Sequence, residues 1–325
     1  MAGLDKDLFI ALLSLDSTTG REREAALWLL EHLDAPSKQA MEVGDGTLNL
    51  LLTWGTPRVV FCSHMDTVPP YIPPTLSADR ICGRGSCDAK GQIMALYTAC
   101  KRLEAAGHTG FGLLLLSGEE TGSWGAKAFA KTDFRAPYLI VGEPTENKMV
   151  SASKGTQSYD LAFRGEAFHS GYPQYGVSAV DLFNQFYNAL KAKDFGYDAI
   201  LGDTTWNIGL LHSDNPQNIL SPQLTCRLYF RTTFTSHEAV QRWMASAGQE
   251  VSARGGDIPA EYFTLPGFPS APVAFGSDAP HLTNFTHKAI CGPGSIRYAH
   301  RPDEHILLSD FELAVEQYVR MFQAL

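Results

Sequence analysis

The chain has 325 residues, a net charge of −9 and a hydrophobic content of 44%. The acidic balance without a basic cluster argues against a nucleic-acid partner, and without a run of about 20 apolar residues we expect no membrane span. The N-terminal segment lacks the pattern of a signal peptide, so we expect a cytoplasmic protein.

Short apolar runs alternate with helical patterns in the first half of the chain. In chain order the predicted elements are helices Phe9–Leu15 and Arg21–Leu33, strand Val59–Cys62, helix Ile93–Leu103, strand Phe111–Leu116, helix Trp124–Lys131 and strand Tyr138–Val141. This alternation predicts an α/β fold, with a mostly parallel sheet and helices on both of its faces.

The pattern changes after residue 155. The predicted elements are then strand Thr156–Arg164, helix Ser178–Lys191, strands Thr205–His212 and Leu224–Phe234, helix Ser236–Val251 and strand Glu261–Leu265. The order βαββαβ is that of a ferredoxin-like α+β unit. The α/β pattern resumes with strand Lys288–Cys291 and helix Leu308–Leu325. We therefore predict a discontinuous catalytic domain, residues 1–152 and 267–325, interrupted by an inserted domain, residues 153–266.

Side chains that can bind metals follow the predicted parallel strands. His64 and Asp66 come just after the first strand, Glu119 and Glu120 after the second, and Glu143 after the third. The carboxyl edge of such a sheet is where ligands bind, so these residues should converge in one crevice. Imidazole and carboxylate groups are suitable ligands for zinc or a similar divalent metal.

Two further segments complete this pattern. Asp88 opens a helix within the glycine-rich segment Gly83–Gly91, and His300 lies in Ala299–Glu304, after the inserted segment. Taken singly, such residues are usually surface charges, turns or helix caps. Their order in the chain and their places after strand ends favour a joint metal site.

The six cysteines form no C-x-x-C pair, and we expect them to be reduced. Cys62 and Cys291 lie in predicted strands and should belong to the core. Cys87, beside Asp88, is a weaker candidate for a zinc ligand.

Together these segments resemble the two-zinc amidohydrolase and peptidase family that includes acetylornithine deacetylase, succinyl-diaminopimelate desuccinylase, aminoacylase and glutamate carboxypeptidase. The resemblance extends over nearly the whole chain. It implies that His64 and Glu143 bind one metal, that Glu120 and His300 bind the other, and that Asp88 bridges them. It also implies two Zn²⁺ ions, for which Co²⁺ or Mn²⁺ can substitute.

The resemblance also implies roles for residues that bind no metal. Glu119 would be the general base, and Asp66 would orient His64 through its ring N–H. His169 matches a histidine that reaches an active site from the inserted domain, usually that of the partner subunit. We therefore expect a homodimer in which the inserted domain forms the interface.

Three residues are predicted to bind the substrate. Asn218 and Arg231 match family positions that hold the substrate's amide and carboxylate, and Gly292 is a weaker candidate for the pocket. The sequence departs from the family pattern at Ser63, where glycine is common, and at Tyr229, where an acidic residue is common. The second departure leaves open how Arg231 is held.

The resulting hypothesis is metal-assisted hydrolysis of the amide bond of an N-acyl-L-amino acid, as in acetylornithine deacetylase. The alternative is a carboxypeptidase or dipeptidase of the same family, acting on a small peptide. In the family that the chain resembles, glutamate at the position of Glu143 goes with deacylases and carboxypeptidases, whereas aminopeptidases tend to have aspartate, so the resemblance leans away from an aminopeptidase. A third alternative, an inactive binding protein on this fold, is disfavoured because the presumed base and all five ligands are present.

Overall fold

The computed structural model describes residues 3–44 and 46–325. These residues form two compact units. The first unit contains the residues up to Ser151, Tyr262–Ala271 and Ser277–Leu325, and the second contains Ala152–Glu261 and Pro272–Gly276. The second unit thus ends before residue 266, where we predicted its boundary, and takes in a short later segment.

Seven α-helices and sixteen strands are found in the described part of the chain. The helices are α1 (Lys6–Leu13), α2 (Arg23–His32), α3 (Lys90–Ala105), α4 (Trp124–Phe129), α5 (Ala179–Ala192), α6 (His237–Ala245) and α7 (Leu308–Ala324). The strands are β1 (Ser37–Gly44), β2 (Thr47–Trp54), β3 (Val59–His64), β4 (Thr75–Leu76), β5 (Arg80–Cys82), β6 (Phe111–Leu116), β7 (Ala136–Val141), β8 (Met149–Ser153), β9 (Gly155–Arg164), β10 (Thr205–His212), β11 (Gln223–Thr232), β12 (Glu250–Gly255), β13 (Ala260–Glu261), β14 (Ser270–Val273), β15 (Phe285–Ile290) and β16 (His305–Leu307). None of these helices is long and apolar enough to cross a lipid bilayer.

The main sheet of the first unit has the strand order β1-β2-β6-β3-β7-β15. Strands β6, β3, β7 and β15 are parallel, as the α/β pattern predicted, and β1 and β2 add an antiparallel edge. Every residue of β3 and β6 is buried, which is typical of parallel strands covered on both faces. The predicted α/β fold is confirmed.

Helices complete the hydrophobic core around this sheet. Helix α3 is buried along most of its length and packs against α7 and against strands β3 and β6. From the sheet, the ring of Phe61 meets the ring of Tyr318 in α7 edge-on at 5.9 Å. Both side chains are fully buried, so α7 is anchored over the strand that ends at His64.

The second unit is built on a four-stranded antiparallel sheet with the order β10-β11-β9-β12. Buried and partly exposed residues alternate along β9 and β11, so one face of the sheet is covered and the other is more open. The covered face packs on α5 and α6 through a cluster that includes Phe163, Phe186 and Val240. The βαββαβ order is as predicted.

The last part of this unit differs from the prediction. Helix α6 ends at Ala245 instead of Val251, and Glu250–Gly255 is strand β12. At Glu261–Leu265, where we predicted the last strand, only Glu261 is in a strand, β13. Because β12 is largely exposed and contains no apolar alternation, its sequence carries no strand pattern.

Candidate metal centre

The carboxyl ends of three neighbouring parallel strands carry the predicted ligands. His64 is the last residue of β3, which pairs with both β6 and β7. Glu119 and Glu120 follow the end of β6, and Glu143 follows the end of β7. Because parallel strands end at the same edge, three separate segments of the chain meet there.

A first group of ligand-type side chains consists of His64, Asp88 and Glu143, whose candidate ligand atoms lie within 4.8 Å of one another. All three residues are buried, and His64 Nε2 is 3.0 Å from Asp88 Oδ1. Within the described structure, Glu143 Oε1 is buried and has no hydrogen-bond partner. An unsatisfied buried oxygen needs a physical explanation, and a cation at this position would provide one.

A second group shares a residue with the first. Atoms of Asp88, Glu120 and His300 also lie within 4.8 Å of one another. His300 Nε2 is 3.0 Å from Glu120 Oε1 and 3.4 Å from Asp88 Oδ2. Asp88 therefore presents Oδ1 to one group and Oδ2 to the other, which is the arrangement a bridging ligand requires.

The backbone of His300 is itself unusual. Its φ angle is +64°, in the left-handed region that residues other than glycine rarely adopt. Such conformations cost free energy and are found preferentially at functional sites. In this conformation the His300 imidazole lies close to the carboxylates of Asp88 and Glu120.

Asp66 organises the residues around both groups. Its Oδ1 accepts a hydrogen bond from the backbone N–H of Glu119 at 3.0 Å, and its Oδ2 accepts from that of Glu120 at 3.1 Å and from the Thr19 hydroxyl at 2.9 Å. His64 Nδ1 lies 3.0 Å from the Asp66 carbonyl oxygen. An Nδ1–H donated there leaves Nε2, which faces Asp88, as the nitrogen available for a metal.

The electrostatics of the centre are dominated by carboxylates. Burial, reinforced by neighbouring acidic groups, raises the pKa values of Glu119 and Glu143 well above their usual range. Hydrogen bonds to Asp88 and Glu120 raise the pKa of His300 to about 10. Burial opposes protonation of His64, but hydrogen bonds to Asp66 and Asp88 still raise its pKa. Such crowding of buried anionic groups is relieved by a divalent cation.

Two buried acidic residues near the centre were not predicted from the sequence. Glu22 Oε1 accepts from the N–H of Gly118 at 3.1 Å, and its Oε2 accepts from that of Gly20 at 2.6 Å, so it holds the turn before Glu119. Burial raises the pKa of Asp278 to about 6. Neither residue belongs to a motif that we singled out, so no local pattern marked them.

The remaining predicted polar residues, His169, Asn218 and Arg231, lie in the second unit. His169 is exposed, and the backbone N–H of the next residue, Ser170, donates to the Asn218 carbonyl at 2.9 Å. The segments of His169 and Asn218 thus continue the antiparallel pairing of β9 with β11 beyond Gln223, the first residue of β11. Arg231 lies near the other end of β11, roughly 26 Å from Gln223 along an extended strand.

Arg231 is held in place by an aromatic side chain. Its guanidinium lies over the ring of Tyr229, 5.1 Å from the ring centroid, within the range of a cation–π interaction. The ring of Tyr229 thus supports Arg231, although the position of Tyr229 is commonly occupied by an acidic residue in the family.

Gly292 lies against the backbone of the Glu143 segment. Its N–H donates to the Thr145 hydroxyl at 2.9 Å, and its carbonyl accepts from the N–H of Asn147 at 2.8 Å. A Cβ at this position would lie 2.1 Å from Gln92 Oε1 and 2.6 Å from the Glu143 carbonyl oxygen. Only glycine allows this approach, so in this structure Gly292 supports the position of Glu143.

The substitution Gly292→Ala is expected to lower the free energy of unfolding by about 1–3 kcal/mol, the usual cost of overpacking a well-packed region. Urea denaturation measures the loss. Gly276→Ala is the control, because an added Cβ there meets no atom within 4 Å. Equal stability of the two variants would contradict the close packing.

Cys87 belongs to neither group of ligand-type residues found in the described part of the chain. Its sulfur lies 3.6 Å from the Ser295 carbonyl oxygen, and burial raises the pKa of the thiol well above its usual value. All six cysteines are unpaired, and Cys62 and Cys291 are buried in the core, as predicted.

Comparison with known proteins gives a consistent result. The model of peptidase family M20/M25/M40 matches residues 60–324. A peptidase M20 domain-containing protein of Schizosaccharomyces pombe is 31% identical, over 96% of this chain and 82% of its own length. A protein of Aspergillus flavus described as a probable carboxypeptidase is also 31% identical, over 83% of this chain and 73% of its own length.

Solved structures show the same fold at lower identity. An M20 family metallo-carboxypeptidase from Sulfolobus solfataricus aligns with a TM-score of 0.72 at 17% identity, covering 98% of both chains. Aminopeptidase PepT from Bacillus cereus aligns with a TM-score of 0.74 at 21% identity, covering 98% of this chain and 97% of its own. From the extent of the family match and the identity to its relatives, we conclude that the chain belongs to peptidase family M20/M25/M40 and is a metal-dependent hydrolase.

Proposed function

We propose that this hydrolase cleaves the amide bond of an N-acyl-L-amino acid at a centre of two Zn²⁺ ions. His64 and Glu143 would hold one ion, Glu120 and His300 the other, and Asp88 would bridge them. The observation that carries the proposal is the sharing of Asp88 between the two groups of ligand-type side chains. A pair of divalent ions supplies an activated water and polarises the scissile carbonyl.

Glu119 is the proposed general base and acid. Its neighbour Glu120 belongs to the second ligand group, whereas Glu119 belongs to neither. The hydrogen bond from its backbone N–H to Asp66 fixes its position, and burial raises its pKa well above the usual value. A carboxylate with a raised pKa can take the proton of the attacking water and deliver it to the leaving amine.

Recognition of the substrate is assigned to the second unit. Arg231 is suited to bind the free carboxylate of the substrate, Asn218 would contact its amide, and His169 would stabilise the oxyanion of the tetrahedral intermediate. Arg231 lies roughly 26 Å along β11 from Gln223, and His169 and Asn218 lie beyond Gln223. A small substrate cannot reach both from one chain, and this supports a homodimer in which each site uses residues of both subunits.

A second candidate function is that of a carboxypeptidase or dipeptidase. The Aspergillus flavus relative is described as a probable carboxypeptidase, and one similar structure is that of a dipeptidase from Saccharomyces cerevisiae, with a TM-score of 0.74 at 11% identity. Both reactions release an amino acid with a free carboxylate, so the same residues could serve either one. The two candidates differ in the acyl side of the scissile bond, which is a simple acyl group in the first and an aminoacyl or peptidyl group in the second.

A substrate panel distinguishes the candidates. It comprises acetyl and succinyl derivatives of ornithine, citrulline, lysine and diaminopimelate, together with dipeptides, assayed with added Zn²⁺, Co²⁺ or Mn²⁺. The proposal expects the highest kcat/KM for an acylated amino acid. Preference for dipeptides would favour the second candidate, and hydrolysis of neither class would contradict both.

Mixing two inactive variants tests the shared site. His169→Ala and Glu119→Gln proteins are each expected to be nearly inactive. A heterodimer of the two contains one site without either change, so mixing should restore part of the activity. If activity stays absent although subunit exchange is demonstrated, His169 does not act in the partner's site.

Metal binding to the metal-free protein is expected to release protons at pH 7.5. The pKa of His300 is raised to about 10 by its hydrogen bonds to Asp88 and Glu120, so its imidazole is protonated there and must become neutral to bind a metal. Affinity should therefore rise with pH and level off above about 10. Calorimetry in two buffers of different ionisation enthalpy measures the protons released; identical apparent enthalpies would contradict the prediction.

A further inference from the structure

A buried ion pair outside the proposed ligand set holds the segment that carries Asp88. Arg84 and Glu304 are only 2% and 1% exposed. Glu304 Oε1 accepts hydrogen bonds from the backbone N–H groups of Gly85 at 2.9 Å, Cys87 at 3.1 Å and Asp88 at 3.1 Å. Its Oε2 accepts from Arg84 Nη1. The Glu304 carboxylate thus fixes the backbone from Gly85 to Asp88.

The guanidinium of Arg84 extends this connection to two further segments. Its Nε donates to the Pro70 carbonyl at 3.2 Å, and its Nη1 donates to the Arg301 carbonyl at 3.4 Å. Pro70 belongs to the segment that leaves the sheet at His64, and Arg301 directly follows His300. The pair therefore joins the backbone segments on which His64, Asp88 and His300 lie.

Stability alone does not account for such a pair. Removing two charges from water is costly, and well-packed apolar side chains often stabilise a fold as much or more. A charged, hydrogen-bonded pair also fixes the orientation of the groups it contacts, because each oxygen and N–H group must meet its partner at a fixed distance and angle. Apart from the bond between the two side chains, these contacts hold backbone of the three segments that carry His64, Asp88 and His300.

We propose that the Arg84–Glu304 pair is a positioning device that places the Asp88 carboxylate between His64 and His300 and so sets the affinity of both metal sites. This inference rests on the two-metal centre of the proposed function. It gives a role to Glu304, which lies with His300 in the segment Ala299–Glu304.

The substitution Glu304→Gln keeps the size of the side chain but removes its charge. The amide oxygen is a weaker acceptor for three N–H groups, and the amide nitrogen would face the guanidinium of Arg84. The turn before Asp88 should relax, and the bridging geometry should be lost. Changes to the partners of metal ligands typically weaken metal binding by about 10–100-fold, and we expect a loss of this size at both sites.

The experiment is a zinc titration of the full chain against a chelating indicator, with unfolding of the metal-free protein followed by circular dichroism. The absorption spectrum of the Co²⁺-loaded protein reports on coordination directly, and a purely structural role would leave it unchanged. Asp303→Asn is the matched control, because it removes the charge of the neighbouring, exposed carboxylate that pairs with Arg301. Its metal affinity should stay within about twofold of wild type.

A second variant, Arg84→Lys, keeps the positive charge but cannot reproduce the fork of contacts to Pro70, Arg301 and Glu304. It should weaken metal binding in the same direction, and it carries the test if Glu304→Gln does not fold. Folded variants with wild-type affinities and an unchanged Co²⁺ spectrum would overturn the inference. Failure of both variants to fold would mark the pair as a structural support and overturn it as well. A wild-type protein that binds no metal would instead remove the proposed function, and this inference with it.

Discussion

Glu119→Gln is expected to lower kcat by about 10²–10⁴-fold while both metals remain bound. Glutamine fills the same space and keeps the backbone N–H bond to Asp66, but it cannot take a proton from the attacking water. Because Glu119 lies outside both ligand groups, the metal content should not change. Turnover of the best substrate and metal content by atomic emission are measured on the same sample.

Glu24→Gln provides the matched control for this experiment, because Glu24 is exposed at the start of α2. It should leave both turnover and metal content unaltered. A Glu119→Gln protein that retains more than about a tenth of wild-type activity would exclude Glu119 as the general base, because the expected loss is at least about a hundredfold.

His300→Ala is expected to reduce metal content from two ions per chain toward one. The imidazole supplies the only nitrogen of the second ligand group, whereas the first group does not include His300. The remaining carboxylates, Asp88 and Glu120, are a poor set for a tetrahedral zinc site. His212→Ala serves as the control, since His212 is exposed in the second unit. Unchanged metal content in His300→Ala would show that this residue is not a ligand.

The convergence of most candidate ligands could be predicted from the sequence. His64, Glu119, Glu120 and Glu143 each lie at or just after the end of a short apolar run, and all three runs became parallel strands. The shared edge of a parallel sheet then brings the residues together without any knowledge of side-chain contacts. Family resemblance was needed for His300, because residues 291–299, which form no strand, separate it from the end of β15.

Other features could not be predicted, for identifiable reasons. Strand β1 is largely exposed, so its sequence lacks the apolar pattern of a buried strand, and the same holds for β12. Glu22 and Glu304 are buried acidic residues; the partners of Glu22, and those of Glu304 Oε1, are backbone N–H groups. A backbone partner leaves no trace in the sequence, because every residue except proline supplies the same N–H group.

The most direct test of the two-metal hydrolase is a metal titration of activity. Protein stripped with a chelator is titrated with Zn²⁺ while hydrolysis of the best acylated amino acid or dipeptide is followed. The two groups that share Asp88 predict that activity rises from background and reaches its maximum at two ions per chain. Full activity in the stripped protein, or a maximum already reached at one ion, would contradict the proposed centre.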